Sequence, residues 1–330
     1  MIRCKASKLI VATNAYSDSV LGIVRSLVPD GFDLLPAGKM GETEFCEAVA
    51  SADYLLVGGR RRLDQNVLSG AKHLKMIQRT GVGLDSLDLE YITQSGIPLY
   101  VNQGVNAQSV AEHALMLTLA VLRSLTYADC RTKQGKWDKH DIGVKTHELY
   151  GKTVGIVGMG NIGRAFRALL EPFHVRILYT NTPQLDEKLE LKLDITFASL
   201  DELLRESDIV SLHCPLTSET KHLIGAAQLS TMKSGAVLIN TARGGLVDEA
   251  SLCDALNSGH LAGAGLDVFE KEPPQCESSI LQASNVVSTP HIAGITSESY
   301  SSMIAQAMFN IEHFEKGDYS AIAGNRWKGF

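Results

Sequence analysis

The sequence predicts an α/β protein of two doubly wound, parallel-sheet domains, and three observations carry that prediction. Short β-branched runs alternate with longer amphipathic ones from end to end, as when parallel strands are joined by right-handed helical crossovers. A glycine-punctuated strand–turn–helix pattern stands in the middle of the chain, over residues 153–173. The length of 330 residues suffices for two ordinary domains, each with a core that needs no staples.

In chain order, the first part offers strands at residues 9–13, 54–58, 76–79 and 99–101. A helical period from about Ser109 to Arg123 leads into a polar stretch over residues 131–147. The second part offers strands at residues 153–157, 175–180, 209–213, 236–240, 265–269 and 285–288. Between the first two of these, residues 161–173 place Ile162, Ala165, Phe166, Leu169 and Leu170 on one helical face. A last helical period covers residues 297–317 and is expected to return to the first domain. The boundaries we expect are 1–104 with 297–330 for one domain and 105–296 for the inserted one.

Composition narrows the function. Lys and Arg number 31 against 37 Asp and Glu, a net charge of −6, which argues against a nucleic-acid surface. The one short basic run, Arg60-Arg61-Arg62, reads as a solvated loop. The six cysteines are scattered, without a C-x-x-C pair or zinc-ligand spacing, so we expect no metal and a reducing compartment. The first ten residues lack the apolar core of a secretory leader, and residues 114–122 are too short to cross a bilayer. A cytoplasmic protein without a membrane partner is expected.

The central motif carries the first chemistry. Thr153-Val154-Gly155-Ile156-Val157 runs into Gly158-Met159-Gly160-Asn161-Ile162-Gly163 and then a helix, which is G-x-G-x-x-G in its required context. Gly158 suits the tight turn, Gly160 the approach of a pyrophosphate, and Gly163 close packing of helix on strand. Amides at Asn161 and Ile162, at the helix N-terminus, would face the phosphates. The inserted domain is therefore expected to be a Rossmann cofactor domain, and its host a flavodoxin-like substrate (lid) domain. An acid at the end of the next strand selects NAD through the ribose hydroxyls. Here that end reads Tyr179-Thr180-Asn181-Thr182, with neither acid nor arginine. The repulsion that excludes a 2′-phosphate is absent, as is the cation that prefers one, so NAD and NADP both stay open.

Three more segments each follow a predicted strand, where α/β folds place functional groups. They are Asn240-Thr241-Ala242-Arg243-Gly244-Gly245-Leu246-Val247-Asp248, Gly265-Leu266-Asp267-Val268-Phe269-Glu270-Lys271-Glu272-Pro273 and Thr289-Pro290-His291-Ile292-Ala293-Gly294. With Arg79-Thr80-Gly81-Val82-Gly83-Leu84-Asp85 and Ser109-Val110-Ala111-Glu112-His113, their order resembles the D-2-hydroxyacid dehydrogenase family over nearly the whole chain. That family includes phosphoglycerate dehydrogenases and glyoxylate/hydroxypyruvate reductases. The resemblance implies a nicotinamide-dependent oxidoreductase acting on a small 2-hydroxy or 2-oxo acid, and a homodimer built through the helical arm after about Ala107.

Reducing a 2-oxo acid needs a cation for its carboxylate and a proton donor for its carbonyl. Arg243 suits the first, because a guanidinium fork binds a carboxylate bidentately. His291 suits the second, since imidazole exchanges protons near neutral pH. The family pattern makes Glu272, not Glu270, the carboxylate that orients the ring. It also implies that amides around Val82 and Gly83 hold the far side of the substrate carboxylate. By the same resemblance Asp267 reaches the nicotinamide carboxamide, Thr241 and Ala242 line that side, and Cys214-Pro215 border the adenine. Arg60 stands near where some members meet a substrate phosphate or carboxylate. Glu112 and His113 are read as cross-domain hydrogen-bond partners rather than catalysts. A nucleotide-sensing, corepressor-like binding module is the alternative, because relatives of that kind keep the same residues.

Overall fold

The computed structural model describes residues 7–59, 61–283 and 285–329. Their strands fall into two sheets, and the chain divides into two compact units. One unit comprises the described residues of Met1–Asn106 and Ser297–Phe330, the other Ala107–Thr296.

The first unit holds β1 (Lys8–Ala12), β2 (Phe32–Pro36), β3 (Tyr54–Val57), β4 (Met76–Arg79) and β5 (Leu99–Tyr100). They pair in parallel in the order β2-β1-β3-β4-β5, the 2-1-3-4-5 arrangement of a flavodoxin-like sheet. Two apolar cores cover its faces. One gathers Val11, Phe45, Leu55, Val57 and Ile77, and the other places Ile304, Ala307, Met308 and Ile311 of the helix Ser297–Glu315 against Ile10, Tyr54 and Tyr100.

The second unit holds β6 (Thr153–Val157), β7 (Arg176–Thr180), β8 (Thr196–Phe197), β9 (Ile209–Leu212), β10 (Val237–Asn240), β11 (Gly263–Leu266) and β12 (Val286–Ser288). Their order is β12-β11-β10-β9-β6-β7-β8, all parallel, so the direction of progression reverses between β6 and β9. Read from β8 to β11 this is the doubly wound 3-2-1-4-5-6 arrangement, with β12 added at the edge. Two cores again sandwich the sheet, one of them built on Phe166, Leu170 and the helix Ala107–Leu122.

Local departures from expectation have physical causes. The edge strands β2 and β8 are not anticipated, because one ends on Pro36 and the other has only two residues. Strand β11 begins at Gly263 rather than Gly265. Its glycines give no β signal, yet a Cβ on Gly265 would stand 2.8 Å from the Leu117 Cβ, so the bare backbone lets the helix Ala107–Leu122 lie close. The helix after the glycine turn stops at Leu170, and Glu171–Phe173 form a single 3₁₀ turn, because Pro172 has no N–H to continue the ladder. Among the described residues no helix is long and apolar enough to cross a membrane.

Candidate active site

The cofactor and catalytic residues expected in the second unit lie at or just past the C-terminal ends of the strands of its one sheet, Thr180 closing β7. Gly158 to Gly163 follow β6, Asn181 follows β7, and Cys214-Pro215 follow β9. Thr241 to Arg243 follow β10, Asp267 and Glu272 follow β11, and His291 follows β12. This is the edge, flanking the β6/β9 switch point, where open α/β sheets bind ligands.

The glycine turn is fixed by sterics. Gly158 has φ +99°, and a Cβ there would meet the Cys214 nitrogen at 2.6 Å. A Cβ on Gly163 would meet the Gly158 carbonyl oxygen at 2.2 Å, so turn and helix touch backbone to backbone. Around Gly160 a Cβ would meet nothing within 4 Å. This open cradle sits over the first amides of the helix Asn161–Leu170, including those of Asn161 and Ile162, which have no intrahelical acceptor. The residues therefore fit a dinucleotide pyrophosphate. Asn181 braces the turn, accepting from the Met159 amide at 3.1 Å through Oδ1 and donating to the Pro183 carbonyl at 2.8 Å. Thr180 ends β7 half-buried. Cys214 is half-buried, and burial pushes its thiol up to about 11, so it stays protonated and packs rather than attacks.

Past β10, the buried side chain of Asn240 clamps the turn that presents Arg243. Its Oδ1 accepts from the Ala242 amide at 3.1 Å and its Nδ2 donates to the Arg243 carbonyl at 2.8 Å. Sequence reasoning assigned Asn240 no role. Thr241 is 7% exposed and its Oγ1 is buried without a partner among the described residues, as a group awaiting a ligand would be. Gly244 then brings two loops together, since a Cβ there would stand 1.9 Å from the Phe269 carbonyl carbon. The Arg243 turn thus lies directly on the turn that carries Glu272.

Glu272 is held on both oxygens. Oε1 accepts from the Phe269 amide at 2.9 Å, and Oε2 is 2.8 Å from His291 Nδ1. The carboxylate is the more buried of the pair, at 12% side-chain exposure against 37% for the ring. The arrangement places the ring proton on Nδ1, facing the acid. His291 has φ +57°, uncommon for a residue with a side chain. Asp267, wholly buried, holds that backbone, accepting from the Ile292 amide at 2.9 Å, the Ala293 amide at 2.8 Å and the Thr289 hydroxyl at 2.6 Å. His113 Nε2 lies 2.8 Å from the same hydroxyl, so it bonds within its own unit rather than across domains as expected. Burial lowers the pKa of His113 and the Asp267 charge opposes that shift; because the Thr289 hydroxyl already donates to Asp267, it is the His113 ring that donates to that hydroxyl.

In the first unit Val82 and Gly83 sit on the loop after β4, with Val82 48% exposed. Arg60 lies outside the described residues. Among the described residues no group of three or more His, Cys, Asp or Glu could hold a metal ion.

Comparison with known proteins bears on this geometry. Residues 115–293 match the model of the D-isomer specific 2-hydroxyacid dehydrogenase NAD-binding domain. Over 292 residues the chain is 39% identical to D-3-phosphoglycerate dehydrogenase of Archaeoglobus fulgidus, covering 88% of this chain but only 54% of that protein, so it spans about half the length of that relative. Over 275 residues it is 38% identical to hydroxypyruvate reductase of Thermotoga maritima, covering 83% of this chain and 86% of the other. The crystal structure of D-lactate dehydrogenase from Aquifex aeolicus, complexed with NAD and lactic acid, superposes with a TM-score of 0.86 at 30% identity, covering 98% of this chain and 100% of that one. With the glycine turn, the Arg243 turn and the Glu272–His291 pair at one sheet edge, the chain belongs to the D-isomer specific 2-hydroxyacid dehydrogenase family, a family of NAD-binding oxidoreductases.

Proposed function

We propose that the chain interconverts a small 2-oxo acid and its D-2-hydroxy acid, with glyoxylate, hydroxypyruvate and its 3-phosphate as the first substrates to try. The observation that carries this reading is the 2.8 Å contact of His291 Nδ1 with Glu272, set beside the Arg243 turn. The glycine turn from Gly158 to Gly163 and the amides of Asn161 and Ile162 would hold the pyrophosphate. Thr180 and Asn181 would border the ribose, Cys214 and Pro215 the adenine, and Thr241, Ala242 and Asp267 the nicotinamide. When bound, the dihydronicotinamide supplies the hydride that reaches substrate C2. Arg243 fixes the substrate carboxylate through its fork, aided by the Val82 and Gly83 amides, and polarises the adjacent carbonyl. His291 gives its Nε2 proton to the carbonyl oxygen, and Glu272 stabilises the imidazolium that donates it.

Absorbance loss of NADH or NADPH with a panel of 2-oxo acids tests the reading. Both cofactors belong in the panel because the end of β7 bears neither carboxylate nor cation. The wild type should turn over at least one acid, and His291→Ala should lower kcat by about 10²–10⁴-fold, as loss of a general acid does. Full activity in that variant would sink the assignment. We also assign a homodimer, supported by exposed apolar side chains along the segment after the helix Ala107–Leu122.

A further inference from the structure

Three buried carboxamides meet in the unit that carries the five-stranded sheet. They are Gln78 of β4, Asn102 just past β5 and Asn310 of the helix Ser297–Glu315, each 1% exposed or less. Every hydrogen-bonding position of Asn102 is filled. Its Oδ1 accepts from Gln78 Nε2 at 3.0 Å and from Asn310 Nδ2 at 3.4 Å, while its Nδ2 donates to the Thr80 carbonyl at 3.1 Å and the Met303 carbonyl at 2.7 Å. Gln78 Nε2 also donates to the Arg79 carbonyl at 2.7 Å, and its Oε1 accepts from Asn310 Nδ2 at 3.0 Å. Asn310 Oδ1 in turn accepts from Gln306 at 3.0 Å and Asn325 at 3.1 Å.

Apolar side chains of similar shape could fill such a core with equal stability, so the network's use lies in what it holds. It holds the entry to the loop after β4. The carbonyls of Arg79 and Thr80 are gripped by side-chain amides. The Gly81 carbonyl accepts from the Asn102 backbone amide at 3.4 Å, and the Gly83 carbonyl from Arg79 Nε at 2.6 Å. With those carbonyls engaged, the amides of Gly81, Val82 and Gly83 donate to no described residue. Successive amides in a turn conformation can make an anion-binding concavity, and the chain bends over residues 80–82.

We propose that Asn102, braced by Gln78 and Asn310, is a positioning residue that sets the loop from Thr80 to Gly83 to receive the substrate carboxylate. This rests on the reading of Val82 and Gly83 given above, and Asn102 itself touches no substrate. Deleting its side-chain donor releases the Thr80 carbonyl and lets the amides turn away. Acid affinity then falls while cofactor affinity holds, because the glycine turn belongs to the other unit.

The test uses the full chain and reads KM for glyoxylate, calorimetric Kd for oxalate, Kd for NADH and melting temperature. In Asn102→Ala the glyoxylate KM and the oxalate Kd should rise about 10- to 100-fold, with NADH affinity unchanged, in line with the cost of misplacing a positioned group by about 1 Å. Asn325→Ala, at the far end of the network, should move both the same way by about 3-fold, and it decides the matter if Asn102→Ala does not fold. Glu315→Gln is the control for stability alone. It removes the carboxylate charge that pairs with Lys75 and accepts from Tyr54 at the opposite end of the sheet, and should lower the melting temperature without moving the glyoxylate KM. Unchanged acid constants in whichever network variant folds, or an equal rise in Glu315→Gln, would overturn the proposal. A wild type that binds oxalate but reduces no acid would overturn the functional reading and leave the oxalate shift to judge Asn102. A wild type that binds no oxalate would overturn both.

Discussion

His213 sits one residue past β9, beneath the glycine turn, and shows how a neighbour of the site is tuned by burial. Its Nε2 lies 2.9 Å from the Ser211 hydroxyl, its ring packs 5.2 Å from Phe166, and its Nδ1 is shut off from solvent without a partner among the described residues. Burial pushes its pKa from 6.5 down to about 3, so the ring is neutral in the folded protein at any working pH. The unfolded chain regains a value near 6.5 and binds the proton first as pH falls. Stability is therefore lost on acidification below about pH 6.5, by up to about 1.4 kcal/mol per unit from this residue. The loss ends only when the folded ring titrates near 3. His213→Gln removes the titrating group. Its urea-unfolding free energy should consequently fall less than that of the wild type between pH 7.5 and 5.5, and parallel pH profiles would show that another group carries the slope. The Cys214 thiol, raised by the same burial, fits this view of the loop as packing rather than chemistry.

At the scale of elements, the glycine turn joins two demands that substitution can separate. A methyl at Gly163 collides with the backbone oxygen of Gly158, which cannot yield without moving the strand end. A methyl at Gly160 meets no protein atom, and φ there is −79°, a value any residue adopts. Gly163→Ala should thus lower the melting temperature and NADH affinity together. Gly160→Ala should keep the melting temperature within about 1 °C, yet weaken NADH by about 10-fold or more, because the methyl occupies the space of the pyrophosphate. Equal NADH affinity in Gly160→Ala would remove the phosphate from that cradle. This turn was legible in the sequence because strand, glycines and helix are contiguous and their spacing is dictated by local sterics. Arg243 and His291 were legible for a related reason, since each closely follows a strand that a β-branched run announces, whereas Glu272, after the glycine-rich β11, was legible only through its place in the family pattern. Strands β2 and β8 were not, because an edge strand needs little hydrophobic pattern to pair on one side. Nor was the clamp of Asn240, which depends on a turn conformation, or the meeting of Asn102 with Asn310, which lie 208 residues apart and pair only through tertiary packing.

At the scale of the whole molecule, each unit has its own cores, but one segment has none. The helices Leu125–Lys133 and Lys139–Gly143 bury no residue. They stand off the edge at β12 across a cavity of about 680 Å³ lined by Tyr127, Arg131, Asp138, Lys145, Asn285 and Val286. Short helices are marginal in water unless an apolar face is covered. Here the apolar side chains face outward, with Leu125 55%, Tyr127 56%, Trp137 81%, Val144 80% and Tyr150 64% exposed. Exposed apolar side chains mixed with Arg131, Lys133 and Asp138 in one segment have the composition of an interface, and the proposed occupant is the same segment of a second copy. Light scattering of the purified chain at about 10 μM should then give twice the 35.7 kDa of one chain. Of these five Trp137 is the largest and most exposed, and large aromatics dominate interface energies. Trp137→Glu should weaken the dimer by about 30-fold or more, the equivalent of about 2 kcal/mol, and shift the mass toward one chain on dilution. The one-chain species should also lose helical circular dichroism, because the two arm helices then lose their cover. A wild type that is already one chain at this concentration, or a Trp137→Glu variant of undiminished mass, would mean that something other than a second copy covers the arm.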